Sequence, residues 1–464
     1  MTNERLPHKG RLLAVLLMGP LMAQADATIA NVATPSIRAD LGASGAALEL
    51  VVGGYMIAFA MLLITGARLG QTHGYRRVFV LGVTTFTSAS VLCGIAPTPT
   101  VLVAARVLQG AGAALMFPQT LTGIQLSFEG AERARAIGLY AIALSSGAVA
   151  GQILGGGLIS LDIAGTDWRA IFLVNAPIGG AVALAARRHL PADGGRATRR
   201  VDVGGVATLS AAILLIVAPL VLGRAEGWPA WAWISLAASA PALALFVVVE
   251  RRVAARDGSP LMNLGVIARP TVSWSLVALL AATGTYYALL FTLAQYLQHG
   301  LGRSPFLSGL TLVPWVVAFG AAGQLVRRVP ERARPLVPSA GCALLAAAYV
   351  AISAALFGDR HGEALLLVVL AAGGLGLGIQ FSALIAHLSN AVPPRYAPDI
   401  SGVSSTLMQI GGTVGVAAFG TLYLGLAADG ATHAFAVVTA AFAAAALLAA
   451  AAAYRSTASG RAKW

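Results

Sequence analysis

Charge is scarce in this 464-residue chain: Asp, Glu, Lys and Arg together make up 11% of it, against about 25% in a typical soluble domain. So little charge cannot cover a water-exposed surface of that size. Lysine is nearly missing, with Lys9 and Lys463 alone. Neither sits in a GxxxxGK[ST] loop, so this polypeptide carries no phosphate-binding loop of the kind that powers ATP-driven transport. The two cysteines, Cys93 and Cys342, lie in apolar segments without CxxC spacing and read as small buried residues. The seven histidines are scattered, with no HExxH pair, so no metal site is expected. No catalytic cluster stands out either, and an enzyme reading has nothing to rest on. The longest gaps between apolar runs, near 187–202 and 250–270, are too short for a soluble domain.

What is present is hydrophobic residues, 58% of the chain, and glycine, 53 residues. Glycine suits helices that pack closely in lipid. A membrane helix needs roughly 20 mainly apolar residues. Fourteen stretches qualify: 12–34, 48–66, 78–97, 100–124, 136–160, 169–186, 203–223, 230–249, 271–297, 306–326, 335–357, 363–387, 400–426 and 430–454. The sequence therefore predicts an all-α polytopic membrane protein.

The net charge of +13 would suit a nucleic acid, but its placement speaks against one. With both termini set in the cytoplasm, 25 of the 31 Lys and Arg fall in cytoplasmic segments and five outside, and Arg106 lies within a span. That asymmetry is the positive-inside pattern. The positive charge is topological, and no nucleic-acid partner is expected.

Residues 12–34 admit a second reading, as a secretory leader. Arg5, Lys9 and Arg11 precede an apolar run, and Ala23-Gln24-Ala25 resembles a cleavage site. The apolar stretch nevertheless continues to Thr34, where Pro35 is expected to end it. A first transmembrane helix fits better, and it carries Asp26. A carboxylate at helix centre costs roughly 2.5–3.5 kcal/mol on insertion scales. It persists only against a cavity or a partner. Asp26 is then either a structural tie between helices or a proton site. Arg106, inside the fourth span, likewise needs backbone carbonyls, Gln109 or a carboxylate as partner. Glu49, at the outer mouth of the second span, is the next candidate acid.

Several stretches resemble signatures of the major facilitator superfamily. GARLGQTHGYRR, residues 66–77, is similar to its loop motif, with Gly66, Gly74, Arg76 and Arg77 in place. ARVLQGAG, 105–112, is similar to RxxQGxG. GAVAGQILGG, 147–156, is similar to the glycine-rich antiporter motif through Gly147, Gly151, Gly155 and Gly156. DATIANVA, 26–33, resembles a signature of the fourteen-span drug:proton antiporter branch, and WRAIFLVNAPIG, 168–179, resembles that branch's sixth span. Tyr296-Leu297-Gln298, with Gly302, Ser304, Pro305 and Gly309, resembles its ninth-to-tenth hairpin. Two departures stand out. Gln71 replaces the acid usual in the loop motif, which argues against a charge latch there, and Gln152 replaces the usual proline of the glycine-rich motif.

The resemblance implies a six-helix bundle over 12–186, a second over 271–454, two extra helices over 203–249 between them, and cytoplasmic ends at 1–11 and 455–464. It implies a multi-pass protein of the bacterial cytoplasmic membrane, working as a monomer by alternating access. Protons and an amphipathic drug, antibiotic or secondary metabolite are exchanged, with no cofactor beyond the proton gradient. Asp26, Arg106 and Glu49 are the proton-coupling candidates. Tyr55, Gln109, Gln119, Gln152, Tyr286, Tyr287 and Gln295 are the candidate cavity groups, with Trp315 and Gln380 beside them. Spans seven to fourteen lack a mid-membrane acid, so neutral or monocationic substrates fit better than dications. The alternatives within transport are an uptake symporter and a passive facilitator.

Overall fold

The structure, a computed structural model, describes residues 9–161, 165–191, 202–223, 226–256, 261–358, 362–393, 396–428 and 430–459. Within them there is no strand, and fourteen helical spans are long and apolar enough to cross a membrane, the sixth and tenth of them, Asp167–His189 and Leu307–Arg328, each comprising a shorter leading piece and the helix numbered below. In order they are α1 (Lys9–Leu41), α2 (Gly45–His73), α3 (Tyr75–Gly94), α4 (Pro99–Ser127), α5 (Gly130–Leu161), α6 (Asn175–His189), α7 (Val203–Leu222), α8 (Ala230–Ala255), α9 (Pro270–Gln295), α10 (Val313–Arg328), α11 (Val337–Phe357), α12 (Glu363–Ala391), α13 (Ala397–Ala427) and α14 (Ala431–Ser459). The all-α class and the span count are those read from the sequence. Helices are what lipid permits, because each backbone group finds its partner within its own segment. Ser44 and Thr98 cap α2 and α4 by accepting from Ala47 N at 3.2 Å and Val101 N at 3.4 Å.

Several helices outrun the expected bounds, α1 and α2 by seven residues each at their ends. Pro35 does not end the first helix; α1 runs through it to Leu41 and stops where Gly42 takes a φ of +60°. A proline inside a membrane helix is tolerated when packing holds the surrounding turns, so the left-handed glycine sets the end instead. The sixth span is broken. A 3-10 turn at Asp167–Arg169 and one helical turn at Ala170–Leu173 precede α6.

Helices α1–α6 and α9–α14 pack with the same pattern, displaced by eight helices. In the first half α1 lies on α5, α2 and α3 on α4, and α3 on α6. In the second, α9 lies on α13, α10 and α11 on α12, and α11 on α14. Glycines mark the equivalent seams. A Cβ on Gly147 of α5 would lie 2.8 Å from Leu21 O of α1, and Gly151 sits over Ala25 O one turn on. In α13, a Cβ on Gly411 would lie 3.2 Å from the Leu280 Cα and one on Gly415 2.8 Å from the Gly284 Cα, both of α9. Only glycine permits backbones so close. This internal repeat is clear in the packing, whereas GQLVRR, 323–328, is a degenerate sequence echo of the first-half loop motif.

The halves meet along two equivalent seams, α5 with α10 and α2 with α13. The inserted pair packs through α7 against α2 and α13, and α8 lies on the outside of α7. Glu250, near the end of α8, accepts from Leu261 N and Met262 N at 3.2 and 3.0 Å and so ties the pair to the connection before α9. Lys9, Arg76, Arg187 and Arg327 define one face of the molecule, termed the basic face below. Asp40 and Arg169, paired at 2.5 Å, mark the far face, and that hydrogen bond holds the Asp40 carboxyl below its ordinary range.

Candidate functional site

Asp26 lies 17 residues into α1, about 25 Å along the helix from Lys9 at 1.5 Å per residue. Its side chain is 1% exposed, and that of Arg106, arriving on α4, is wholly buried. Arg106 Nη1 donates to Asp26 Oδ2. Gln109, one turn further on α4, bridges the pair: its Nε2 donates to Asp26 Oδ1 at 2.7 Å, and its Oε1 accepts from Arg106 Nη1 at 2.8 Å. Asn175, the first residue of α6, donates to the same Oδ1 at 3.3 Å. The chain runs into α6 in helical conformation, with Val174 N donating to Ala170 O, so Asn175 holds its place by its position on that helix. Ser90 of α3 fastens the two amides, accepting from Gln109 at 3.1 Å and Asn175 at 3.0 Å while donating to Phe172 O at 2.9 Å.

The cation is satisfied by more than the acid. Arg106 Nε donates to Val51 O of α2 at 2.8 Å. Its guanidinium carbon stands 4.4 Å from the Tyr55 ring centre and 5.6 Å from that of Phe172, within cation–π range. Tyr55 is itself fixed, donating to Ala23 O at 2.8 Å. All three partner types expected for Arg106 are thus present together: a carbonyl, Gln109 and a carboxylate. The Asp26 carboxyl accepts from three donors. They take three of the carboxyl's roughly four acceptor sites, two on Oδ1 and one on Oδ2.

The other expected positions scatter. Glu49 is half-buried at the far-face end of α2, and the charge it feels is that of Glu226. Tyr287 of α9 is half-buried and receives a hydrogen bond from Gln24 Nε2, two residues before Asp26, so it joins the second half to α1. Tyr286 stacks on Trp315 at 5.8 Å, inside the second half. Gln119 donates to Gly66 O at 2.7 Å and Leu115 O at 3.0 Å, which places it in the α2–α4 seam. Gln380 is buried on α12, and Gln295 is half-buried at the end of α9. Gln152 lies on α5, with its side chain outside the described residues.

The motif residues are also located. Gly66 faces the Ala114 and Leu115 backbone of α4, and Gly74, at a φ of +95°, turns α2 into α3. Arg76 donates to Arg187 O at the foot of α6, and Arg77 is exposed on the same face. Arg68, buried, donates to Gln71. Gly147 and Gly151 press on α1 of their own half at Leu21, Gln24 and Ala25. The opposite bundle is met instead by Gly138, Ile142 and Ile153, which face α10 and its preceding turn. Gly155 is buried, and a Cβ on Gly156 would meet nothing within 4 Å. That contrast predicts opposite signs. Gly151→Ala is expected to destabilise the protein by about 1–3 kcal/mol through overpacking. Gly156→Ala is expected to gain up to about 1 kcal/mol of helix propensity. Unfolding midpoints of the purified variants decide it.

Ser90 and Asn175 were not among the candidate residues. Asn175 sits inside the sixth-span signature, so its position was visible although its partner was not.

The sequence profile of the Major Facilitator Superfamily matches residues 16–416. The probable actinorhodin transporter of Streptomyces coelicolor is 40% identical over 424 residues, covering 90% of this chain and 73% of that protein. The cephamycin export protein CmcT of Amycolatopsis lactamdurans is 36% identical, covering 84% and 80%. The tetracenomycin C resistance and export protein of Streptomyces glaucescens is 33% identical, covering 89% and 75%. Among solved structures, the proton:xylose symporter XylE superposes with a TM-score of 0.67 at 14% identity, covering 95% of this chain and 94% of that one.

Proposed function

The chain belongs to the major facilitator superfamily, a family of transporters rather than enzymes, and on that premise we propose that it is a proton-coupled exporter of amphipathic antibiotics or related secondary metabolites. Its basic face is the cytoplasmic one, following the positive-inside bias, in a bacterial cytoplasmic membrane, with a monomer as the working unit. The substrate class is supported by its relatives, a probable actinorhodin transporter, a cephamycin export protein and a tetracenomycin C resistance and export protein.

The buried Asp26–Arg106–Gln109 constellation carries the reading. A proton arriving from the far face neutralises Asp26 and releases Arg106 from its charged partner. Gln109 is placed to follow, because turning its amide offers Oε1 as an acceptor to the protonated acid. The change is carried along α1. Gln24 bonds Tyr287 across the interface, and the Gly147–Gly151 contact pins the same turns to α5. Asp26, Gln24 and Tyr287 thus link proton occupancy to the seam between the halves. One proton moving inward supplies about 2.3 kcal/mol per 100 mV, enough for roughly a fifty-fold substrate gradient.

Flux in everted membrane vesicles tests this. With the lumen acid, vesicles bearing the protein are expected to accumulate amphipathic dyes such as ethidium, and to release them when nigericin collapses the gradient. Flux indifferent to the gradient would mean passive facilitation. Dye movement in the same direction as the proton would mean symport.

A further inference from the structure

We propose that the far-face end of the second half holds a lipid-binding site, which takes one acyl chain of a far-leaflet phospholipid. A cavity of about 380 Å³ opens there between the end of α9, the last turns of α11 and the first turns of α12. That volume falls within the range of small-molecule pockets, roughly 300–1,000 Å³. Leu297, Ile352, Leu356, Leu366 and Val369 give it hydrocarbon walls. Tyr296 closes one side, its ring stacked on Phe435 at 4.8 Å. The chain makes room for the cavity by a departure from regular helix: α9 ends in a π-turn, Tyr296–Gly300, an irregularity common at functional sites.

Depth and chemistry point to the occupant. The α12 walls reach six residues below Glu363, about 9 Å at 1.5 Å per residue. That is acyl-chain depth in a leaflet about 15 Å thick. Water would find too few polar partners in such a space. At the rim, Arg303 Nη1 donates to Glu363 Oε1 at 2.8 Å, and the two side chains are 28% and 61% exposed. A zwitterionic headgroup matches that rim charge for charge, its phosphate toward Arg303 and its ammonium toward Glu363. Leu301 and Leu365, 48% and 42% exposed, flank the mouth and open it sideways toward lipid. The site is separate from the Asp26 cluster and stands whether or not the chain couples protons.

The test uses the full chain in nanodiscs containing phosphatidylethanolamine with a diazirine on its acyl chain. After irradiation, peptides covering 296–303, 351–356 and 363–369 are expected to carry at least five-fold more label than the lipid-facing surface of α8 around Leu245 and Val248. Ala355→Trp or, from the opposite wall, Leu366→Trp fills the cavity and should remove that excess while leaving α8 labelling unchanged. Labelling equal to that of α8, or an excess that survives both fillings, would overturn the site. Displacement by the soluble amphipath 1-anilinonaphthalene-8-sulfonate but not by excess unlabelled phospholipid would overturn the lipid assignment.

Discussion

Asp26→Asn is expected to leave a folded protein that no longer concentrates its substrate. Asparagine keeps the shape of aspartate and one acceptor oxygen but cannot carry a charge. Arg106 then remains buried, yet it retains the Val51 carbonyl, Gln109 Oε1 and the faces of Tyr55 and Phe172. Those partners keep the cation tolerable, so the helices should stay assembled. Coupling is another matter. Without a titrating group at this position, inward proton movement is disconnected from the substrate. The steady-state ethidium ratio sustained by a coupled carrier, about tenfold per unit of pH gradient for one-for-one exchange, should fall to about one. The measurement is that ratio in everted vesicles, at matched amounts of protein. A ratio that survives the substitution would make Asp26 a structural tie, and Glu49 would become the next acid to replace.

Much of the fold was legible in sequence because lipid imposes one coarse rule, the twenty-residue apolar run, and arginine placement reports sidedness independently. What escaped depends on packing between distant segments. Pro35 carries a local signal to stop, but the contacts around α1 override it and Gly42 ends the helix instead. Asn175 carries no signal of its own in an apolar stretch, and only the packing of α6 against α1 brings its amide to Asp26. The internal repeat is nearly silent in sequence. Its clearest marks, Gly147 with Gly151 and Gly411 with Gly415, are small residues whose partners lie on other helices.

The site shows the same division. A lone carboxylate and a lone guanidinium in apolar runs are conspicuous, because each is expensive in lipid without the other. The expense says that each needs a partner; that they partner each other across 80 positions is seen in the structure alone. Ser90 is a neutral residue of a common type, and such residues satisfy themselves on their own helix in many places, as Thr84 does on Val80 O. Gln119 and Gln295 illustrate the converse. Amides in membrane helices suggest a substrate surface, yet the Gln119 nitrogen is engaged by two carbonyls within the first half, and Gln295 sits at a helix end.

Arg106→Ala should be the most destabilising single change in the buried cluster. Losing the guanidinium strips Asp26 of its one cationic partner among the described residues and leaves two amides, Gln109 Nε2 and Asn175 Nδ2, to hold a buried carboxylate. Breaking a buried pair from one side costs about 3–5 kcal/mol. The Val51 carbonyl, inside α2, keeps its own helical donor, so the loss of Arg106 Nε strands no acceptor there. Arg106→Lys should recover part of the loss, because an ammonium restores the charge but not the fork that spans Asp26 and Val51. The decisive comparison is Arg106→Gln made alone and in the Asp26→Asn background. With no carboxylate left to strand, the second loss should be smaller than the first by up to about 3 kcal/mol, the scale of coupling between residues in direct contact. Unfolding of the purified variants in detergent reads that difference directly. Equal losses in both backgrounds would mean that Arg106 stabilises the fold through Val51, Tyr55 and Phe172, and that its charge is not felt by Asp26.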